Sequence, residues 1–122
     1  GDFMTIRECY DVFGGDFDGV MKRLIDENRV ERFALKFLDE SSMKQLRISL
    51  IEDDQESAFR AAHTIKGICQ NLGFTHLGNS SGALTEYLRK GLNGNWQELL
   101  HQTEMDYREV IDALKQLEDS YL

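Results

Sequence analysis

No proline occurs in this chain of 122 residues, so the sequence contains none of the rings that break helix interiors. Apolar residues recur three and four positions apart along most of its length, which is the spacing of one helix face. No alternating strand pattern accompanies them. These features predict an all-α fold. The last predicted helix shows the spacing most clearly, with apolar residues at Leu99, Leu100, Tyr107, Val110, Ile111, Leu114 and Leu117.

The first half of the chain contains several helix signals. Two short helices are expected at about 5–13 and 16–25, with Asp16 as the N-cap of the second. The pattern Asn28-x-x-Glu31 is typical of a capping box, which predicts that another helix opens there. Ser42-x-x-Gln45 marks either the start of a fresh helix or a break within one longer helix.

The second half is predicted to form three longer helices, at about 55–72, 76–90 and 95–119. Gly73 follows the first of them, where a glycine is the common C-terminal residue. Thr75 is a suitable N-cap for the second.

The chain length fits one domain with one hydrophobic core. Since the connections between the long helices are short, consecutive helices are expected to be antiparallel neighbours. We therefore predict a single domain over residues 1–122. In it, an N-terminal helical extension (1–27) with extra short helices precedes an antiparallel up-down four-helix bundle (28–119).

The predicted helix at 55–72 has two different faces. Phe59, His63, Lys66, Gly67 and Gln70 share one face because they lie three and four positions apart. A glycine in mid-helix is less favourable than alanine by about 1 kcal/mol, so a requirement other than stability favours glycine here. The opposite face is small and apolar and is predicted to pack inside the protein; its residues are Ala58, Ala61, Ala62, Ile65, Ile68, Cys69 and Leu72.

The first of these faces suits a particular chemistry. A solvated imidazole is largely uncharged and nucleophilic at neutral pH, because its ordinary pKa is about 6.5. Lys66, one turn from His63, can hold negatively charged oxygens near the ring. Gly67 lets the backbone of another molecule come close, and Phe59 is a large apolar residue that indicates a partner surface. The set suits acceptance of a phosphoryl group from a docked protein, although a surface histidine taken alone usually has no such role.

The segment around His63 resembles the motif of a known family. The residues His63-Thr64-Ile65-Lys66-Gly67, followed by Asn71-Leu72-Gly73, are similar to the motif of the histidine phosphotransfer (HPt) domain. The resemblance extends over about 28–117, and the family is similarly a four-helix bundle. It implies that His63 is the phosphorylated residue, that Lys66 stabilises the phosphoryl group and that Gly67 marks the site of close receiver approach.

The resemblance also has one departure. Some members of the family support the histidine with a glutamine on the following helix, but the ungapped position here holds Thr85. That support is therefore altered or missing, and Gln70 is a candidate substitute. We expect partner contacts through Phe59, Gly67, Gln70 and Thr85.

The function that the resemblance implies is that of a phosphorelay intermediate in two-component signalling. Such a phosphoprotein accepts a phosphoryl group on His63 from the aspartyl phosphate of a response-regulator receiver domain and passes it to another receiver. Its partners would be receivers or a hybrid histidine kinase, and the receiver would bring the Mg²⁺. No ATP-binding kinase module is recognisable, so a carrier and not an enzyme is expected. Two alternatives stay open: the phosphoaccepting domain of a chemotaxis-type histidine kinase, and a helical adaptor without phosphotransfer.

Charge and composition exclude other classes. A net charge of −8 argues against binding to nucleic acid or to an acidic membrane surface. The apolar runs are too short to span a bilayer. Cys9 and Cys69 make no disulfide framework, which fits a reducing cytoplasm. His63, His76 and His101 are widely spaced and share no ligand pattern, so no metal or bound cofactor is expected. An accessible phosphoryl acceptor favours a monomer.

Overall fold

The computed structural model describes residues 3–122, which form seven α-helices and one short 3₁₀-helix and contain no β-strand. The prediction of an all-α fold is confirmed. The elements are α1 (Ile6–Val12), α2 (Phe17–Leu24), α3 (Glu27–Lys36), the 3₁₀-helix (Phe37–Asp39), α4 (Ser42–Ile51), α5 (Gln55–Leu72), α6 (Thr75–Arg89) and α7 (Trp96–Asp119).

The helices form a bundle around one core. α5 packs against both α4 and α6, and α6 packs in turn against α7. α1 rests on α7, and α2 rests on α3. The interior is a continuous cluster of buried apolar side chains to which all seven helices contribute. Within residues 3–122, no helix is both long enough and apolar enough to cross a membrane.

Phe74, in the connection between α5 and α6, joins the N-terminal helices to this core. Its ring centroid lies 5.6 Å from that of Tyr10, 4.9 Å from that of Phe13 and 5.4 Å from that of Phe37. All four rings are almost fully buried. Tilted and edge-on aromatic pairs at such distances are favourable beyond the area that they bury. The first two helices therefore share the core of the rest of the protein.

The connection between α3 and α4 shows whether Ser42-x-x-Gln45 starts a fresh helix or marks a break within one longer helix. After the 3₁₀-helix, Glu40 takes an extended backbone (φ −74°, ψ 127°), which ends any continuous helix. Its carboxylate then accepts hydrogen bonds from the backbone N–H and the hydroxyl of Ser42, at 3.1 and 2.5 Å. α4 is therefore a fresh helix, and the segment is not one long helix with a break.

Two predicted helix caps are wrong by one or two residues. The predicted capping box would have placed the N-cap of α3 at Asn28. The N-cap is instead Asp26, whose carboxylate accepts a hydrogen bond from the Asn28 N–H, and α3 begins at Glu27. α6 begins at Thr75 itself, with Phe74 at the N-cap and no side-chain cap. Burial of the Phe74 ring decides where this helix starts, and it overrides the preference of threonine for the cap.

The C-terminal turn of α5 is bonded to the N-terminal helices. Gly73 ends the helix with a left-handed backbone (φ +71°), as predicted. The last carbonyls of a helix have no partner within it, and here they accept hydrogen bonds from a phenol, a guanidinium and a backbone amide. We call this turn the clasped end. Its bonds run from Tyr10 Oη to Leu72 O (2.5 Å), from Arg23 Nη2 to Gln70 O (3.2 Å) and Asn71 O (2.5 Å), and from Asp16 N to Gly73 O (2.8 Å).

Candidate functional site

The structure brings five of the predicted site residues together on one face of α5. His63 and Gln70 are exposed, and Phe59, Lys66 and Gly67 are half-buried. The phenyl ring of Phe59 lies nearly parallel to the imidazole, with ring centroids 5.8 Å apart and an angle of 16° between the planes. We call these five residues the open face.

The other side of α5 packs into the core, as its pattern predicted. Its alanines, Ile65, Cys69 and Leu72 are buried, whereas Ile68 is only partly buried. Burial raises the pKa of the Cys69 thiol to about 12, so this cysteine is a small core residue and not a reactive thiol. Because one side of the helix is fixed by packing, the orientation of the open face is fixed as well.

Gly67 leaves a gap beside the histidine. A Cβ atom added at this position would meet nothing within 4 Å, so the glycine is not required by any neighbour in the fold. A side chain here would instead project from the surface one turn from His63. The cost of glycine in mid-helix therefore has no explanation in internal packing.

Lys66 is positioned by α6. A Cβ atom added at Gly82 would lie 3.6 Å from Lys66 Cδ, so the aliphatic part of the lysine passes over the bare backbone of this glycine. The same lysine borders an open cleft of about 490 Å³ between α2, α5 and α6, which Gln70 and Arg23 also line. The packed stem therefore restricts the rotamers that Lys66 can adopt.

Two charged residues of α6 belong to the site and were missed by sequence reasoning. Arg89 donates two hydrogen bonds to Glu86, from Nε at 3.3 Å and from Nη2 at 3.1 Å. The Arg89 guanidinium also lies over the Phe59 ring, 4.8 Å from its centroid. The hydrogen bond from Arg89 lowers the pKa of Glu86, and the nearby charges of Arg89, Lys66 and His63 add to this effect. The spacing of Glu86 and Arg89 signals an ion pair, but not its place beside the histidine.

Thr85 is not a partner contact. Its side chain is fully buried, and its hydroxyl donates a hydrogen bond of 2.7 Å to the Ser81 carbonyl on the same helix. The position faces the core, where a small β-branched side chain can satisfy its own hydroxyl within α6. The prediction that Thr85 touches a partner is therefore wrong.

The imidazole of His63 is free to react. Among residues 3–122, no side chain or backbone group forms a hydrogen bond with either ring nitrogen, and stacking against Phe59 leaves the ring exposed. The same residues contain no group of three or more histidine, cysteine, aspartate or glutamate side chains that could hold a metal ion. The arrangement therefore places an exposed imidazole on the same helix face as Lys66.

Comparison with protein families decides what kind of domain this is. The family model described as the Hpt domain matches residues 33–120. The chain belongs to the Hpt domain family. The matched region begins within α3 and includes all of α4 to α7, and with them the complete open face, Glu86 and Arg89. Comparisons with curated proteins and with solved structures give no significant match.

Membership confirms the predicted family and the general role that goes with it. Hpt domains act in histidine phosphotransfer within two-component signalling, as phosphoryl carriers that work with receiver domains and kinases and are not kinases themselves. In this Hpt domain, α1 and α2 lie outside the matched region, although they supply the donors at the clasped end.

Proposed function

We propose that this Hpt domain is a phosphorelay intermediate in which His63 accepts a phosphoryl group from a receiver aspartyl phosphate and passes it to another receiver. The observation that carries the proposal is the exposed, unbonded imidazole with Lys66 one turn away and no side chain at Gly67. A nucleophile, a cation and room for a partner backbone are the requirements of this transfer.

The transfer itself is an in-line displacement at phosphorus. Nε2 of His63 attacks, the new P–N bond forms, and the bond from phosphorus to the aspartate oxygen breaks with its electron pair returning to the carboxylate. Negative charge spreads over the three equatorial oxygens during this step, and Lys66 is placed to interact with them. The Mg²⁺ that such a step uses would be held by the receiver, and this chain would bind no cofactor.

Charge favours an acidic partner surface. Residues 55–90, which contain α5 and α6, include two acidic and four basic side chains, whereas the rest of the chain includes 20 acidic and ten basic ones. The two helices α5 and α6 are thus mildly basic in a chain of net charge −8. Such a region would attract the acidic phosphorylation site of a receiver, and the remaining surface would repel it.

The architecture that we propose to support this role is an antiparallel up-down four-helix bundle of α4 to α7, with α1 to α3 packed on it. Consecutive packing of these four helices and their short connections support it. A hydrogen bond of 2.8 Å from Arg47 on α4 to Glu104 on α7 would close the bundle. We also propose a cytoplasmic monomer, which free, buried cysteines fit.

Phosphoryl transfer from phosphorylated receivers to the wild type and to His63→Gln tests the proposal. The wild type should gain one phosphoryl group by intact mass, and the label should be acid-labile as phosphohistidine is. His63→Gln should gain none while retaining the thermal stability of the wild type. Failure of every receiver encoded with this chain to charge the wild type would refute a relay function.

Lys66→Ala separates a relay from an adaptor. Loss of a charge-assisted contact to the phosphoryl oxygens should slow transfer roughly tenfold. A helical adaptor would show no change in binding to its partner. The phosphoaccepting domain of a chemotaxis-type kinase would instead be charged by its kinase from ATP and not by receivers.

A further inference from the structure

The orientation of the His63 imidazole matters for the proposed transfer, because an attacking lone pair must point at phosphorus. The lone pair of a ring nitrogen lies in the plane of the ring, so the direction of attack follows that plane. A side chain that rotates freely presents the plane in the productive direction only part of the time. His63 is exposed, and within residues 3–122 no hydrogen bond holds its ring. Any support for the ring is therefore a contact of another kind.

Neither of the two polar side chains that could have supported the ring does so. Thr85 is buried and donates its hydrogen bond to the Ser81 carbonyl. Gln70 lies seven residues after His63, about 10 Å farther along the helix axis, and forms no hydrogen bond with the imidazole. Side chains of a helix lean towards its N-terminus, so the imidazole leans away from Gln70.

Phe59 lies where the imidazole leans. It precedes His63 by four residues, which places it on the turn that the histidine side chain covers. The two rings are nearly parallel, with 16° between their planes and 5.8 Å between their centroids. Offset stacking at such a distance is favourable for flat rings. It restrains the plane of the imidazole without occupying either ring nitrogen.

Phe59 is itself held by its surroundings. Its side chain is half-buried and packs against the apolar core, and the Arg89 guanidinium lies 4.8 Å from its ring centroid. The next residue that could cover the imidazole is at position 67, whose side chain would lean back towards His63, but glycine has none. The imidazole therefore has a support on its N-terminal side and open space on its C-terminal side.

We propose that Phe59 is a positioning residue for phosphoryl transfer, whose ring holds the plane of the His63 imidazole by stacking, in place of a hydrogen bond. The inference rests on the proposed role of His63 as the phosphoacceptor. The receiver would approach from the open side, where Gly67 lies. Since no hydrogen bond from the described residues selects a tautomer, none has to be broken before Nε2 attacks. An aromatic pair of this kind favours the held orientation by about two- to tenfold.

NMR spectroscopy of the protein without a partner tests the contact itself. The chain has three histidines, so the ring signals of His63 are identified by their loss in His63→Gln. Phe59→Leu keeps an apolar side chain but removes the flat ring. The His63 ring protons should then lose the shift that a neighbouring ring imposes, and carbon relaxation should report a more mobile imidazole. Unchanged shifts and mobility would overturn the proposal, as would equal loosening of the ring by Gln70→Ala.

Transfer kinetics test what the contact does. At saturating phosphorylated receiver, Phe59→Leu should lower the maximal transfer rate by about fivefold, because the lone pair points in the productive direction less often. Phe59→Tyr keeps a ring and should restore most of this rate. If Phe59→Leu raises only the receiver concentration needed for half-saturation, Phe59 is a partner contact and not a positioning residue.

Phosphoramidate separates orientation from reactivity. This small donor transfers its phosphoryl group to a ring nitrogen and releases ammonia, and it can approach the exposed imidazole from many directions. Charging is followed by intact mass, with His63→Gln as the blank for other histidines. The rates for the wild type and Phe59→Leu should be nearly equal. Slowing by the same factor with phosphoramidate and with receivers would mean that the substitution impairs the nucleophile or the fold, which contradicts a positioning role.

Phe33→Leu is the matched control. Phe33 is 40% exposed on α3, and its ring also lies beneath a cation, the Lys36 ammonium at 5.1 Å. The same change there should alter neither the maximal transfer rate nor the His63 signals, and an effect as large as that of Phe59→Leu would refute a specific role of Phe59. If no receiver charges the wild type, the relay is refuted, and the NMR comparison still decides whether Phe59 holds the ring.

Discussion

The open face and the clasped end belong to the same helix, yet they differ in what fixes them. The open face contacts α6 through the Phe59 ring, which lies under the Arg89 guanidinium, and through the stem of Lys66. The clasped end is bonded to side chains and backbone more than 45 residues earlier in the chain, and one of its donors, Tyr10, is 1% exposed. Substitutions in the first region should change reactivity, and those in the second should change stability.

This division has a physical basis. A phosphoryl acceptor must be reached by a partner, so its side chains cannot be buried, and exposed contacts contribute little to the free energy of unfolding. The last carbonyls of a helix have no partner within it, and the loss of a buried partner such as the Tyr10 hydroxyl is costly. The clasped end holds the axis of α5 in place while the open face remains available.

The largest effect is expected from Gly67→Arg on the open face. The added side chain enters open space, so the fold should be retained. It would hold a receiver backbone away from His63, and a displacement of about 1 Å can cost roughly a hundredfold in rate. Transfer from a charged receiver, followed by quench and intact mass, measures this effect. Rapid transfer by this variant would contradict the idea that glycine is needed at position 67 for close approach of a receiver.

Gly67→Ala is the matched control for this variant. Alanine in a helix interior is more favourable than glycine by about 0.5–1 kcal/mol, so urea denaturation should show a gain of stability in that range. Its single methyl group should preserve most of the transfer rate. A loss of transfer as large as that of Gly67→Arg would show that backbone flexibility, and not space, is what the site requires.

Tyr10→Phe should have the opposite profile, with stability lost and reactivity retained. Burial raises the pKa of the Tyr10 phenol, so it remains a protonated donor over the ordinary pH range. Its removal leaves the Leu72 carbonyl without this partner, at a cost of about 1–3 kcal/mol in the free energy of unfolding. Urea denaturation measures the loss, and phosphoramidate should still charge the folded variant at His63.

Tyr121→Phe controls for the loss of a phenol hydroxyl elsewhere. Tyr121 is 65% exposed and donates to the Glu31 carboxylate, so its change should stay within about 0.5 kcal/mol. If the two variants lose the same stability, the clasped end is no more important than an ordinary surface contact.

The smallest effect concerns the start of α5, which is capped locally. Asp54 is exposed and accepts a hydrogen bond from the Ser57 N–H. Hydrogen bonding to the side chain of Ser57, and then to its backbone N–H, lowers the pKa of Asp54 below its ordinary value of 3.8. A carboxyl with a lowered pKa in the folded state stabilises the protein above its unfolded-state pKa, and this contribution is lost as pH falls through the folded-state pKa.

Asp54→Asn keeps an acceptor at the cap but cannot titrate. The wild type should be slightly more stable than this variant at pH 7, and the difference should shrink as the pH is lowered below about 4. Thermal unfolding of both proteins across this pH range checks the prediction. A difference that stays constant down to about pH 2 would show that the charge of Asp54 does not contribute.

Much of this protein could be predicted from local patterns. The absence of proline and the three-and-four spacing determined that it is helical, and the two faces of α5 follow from the same spacing. His63, Lys66 and Gly67 lie within about one and a half turns of α5. Their relative positions follow from helix geometry alone, because residues this close in sequence have fixed positions within a helix. The family match confirms the family that this run implied.

The tertiary structure decided what depends on contacts between distant segments. Only the packing of α6 against α5 brings Arg89 over Phe59 and turns Thr85 into the core, because helix rotation is set by the neighbours that a face must bury. The burial of Phe74 likewise overrides the cap preference of Thr75. The bond between Tyr10 and Leu72 joins segments 62 residues apart, and no local periodicity encodes such a pairing. The sequence determined which residues are candidates to react, and the tertiary structure determined which residues surround and support them.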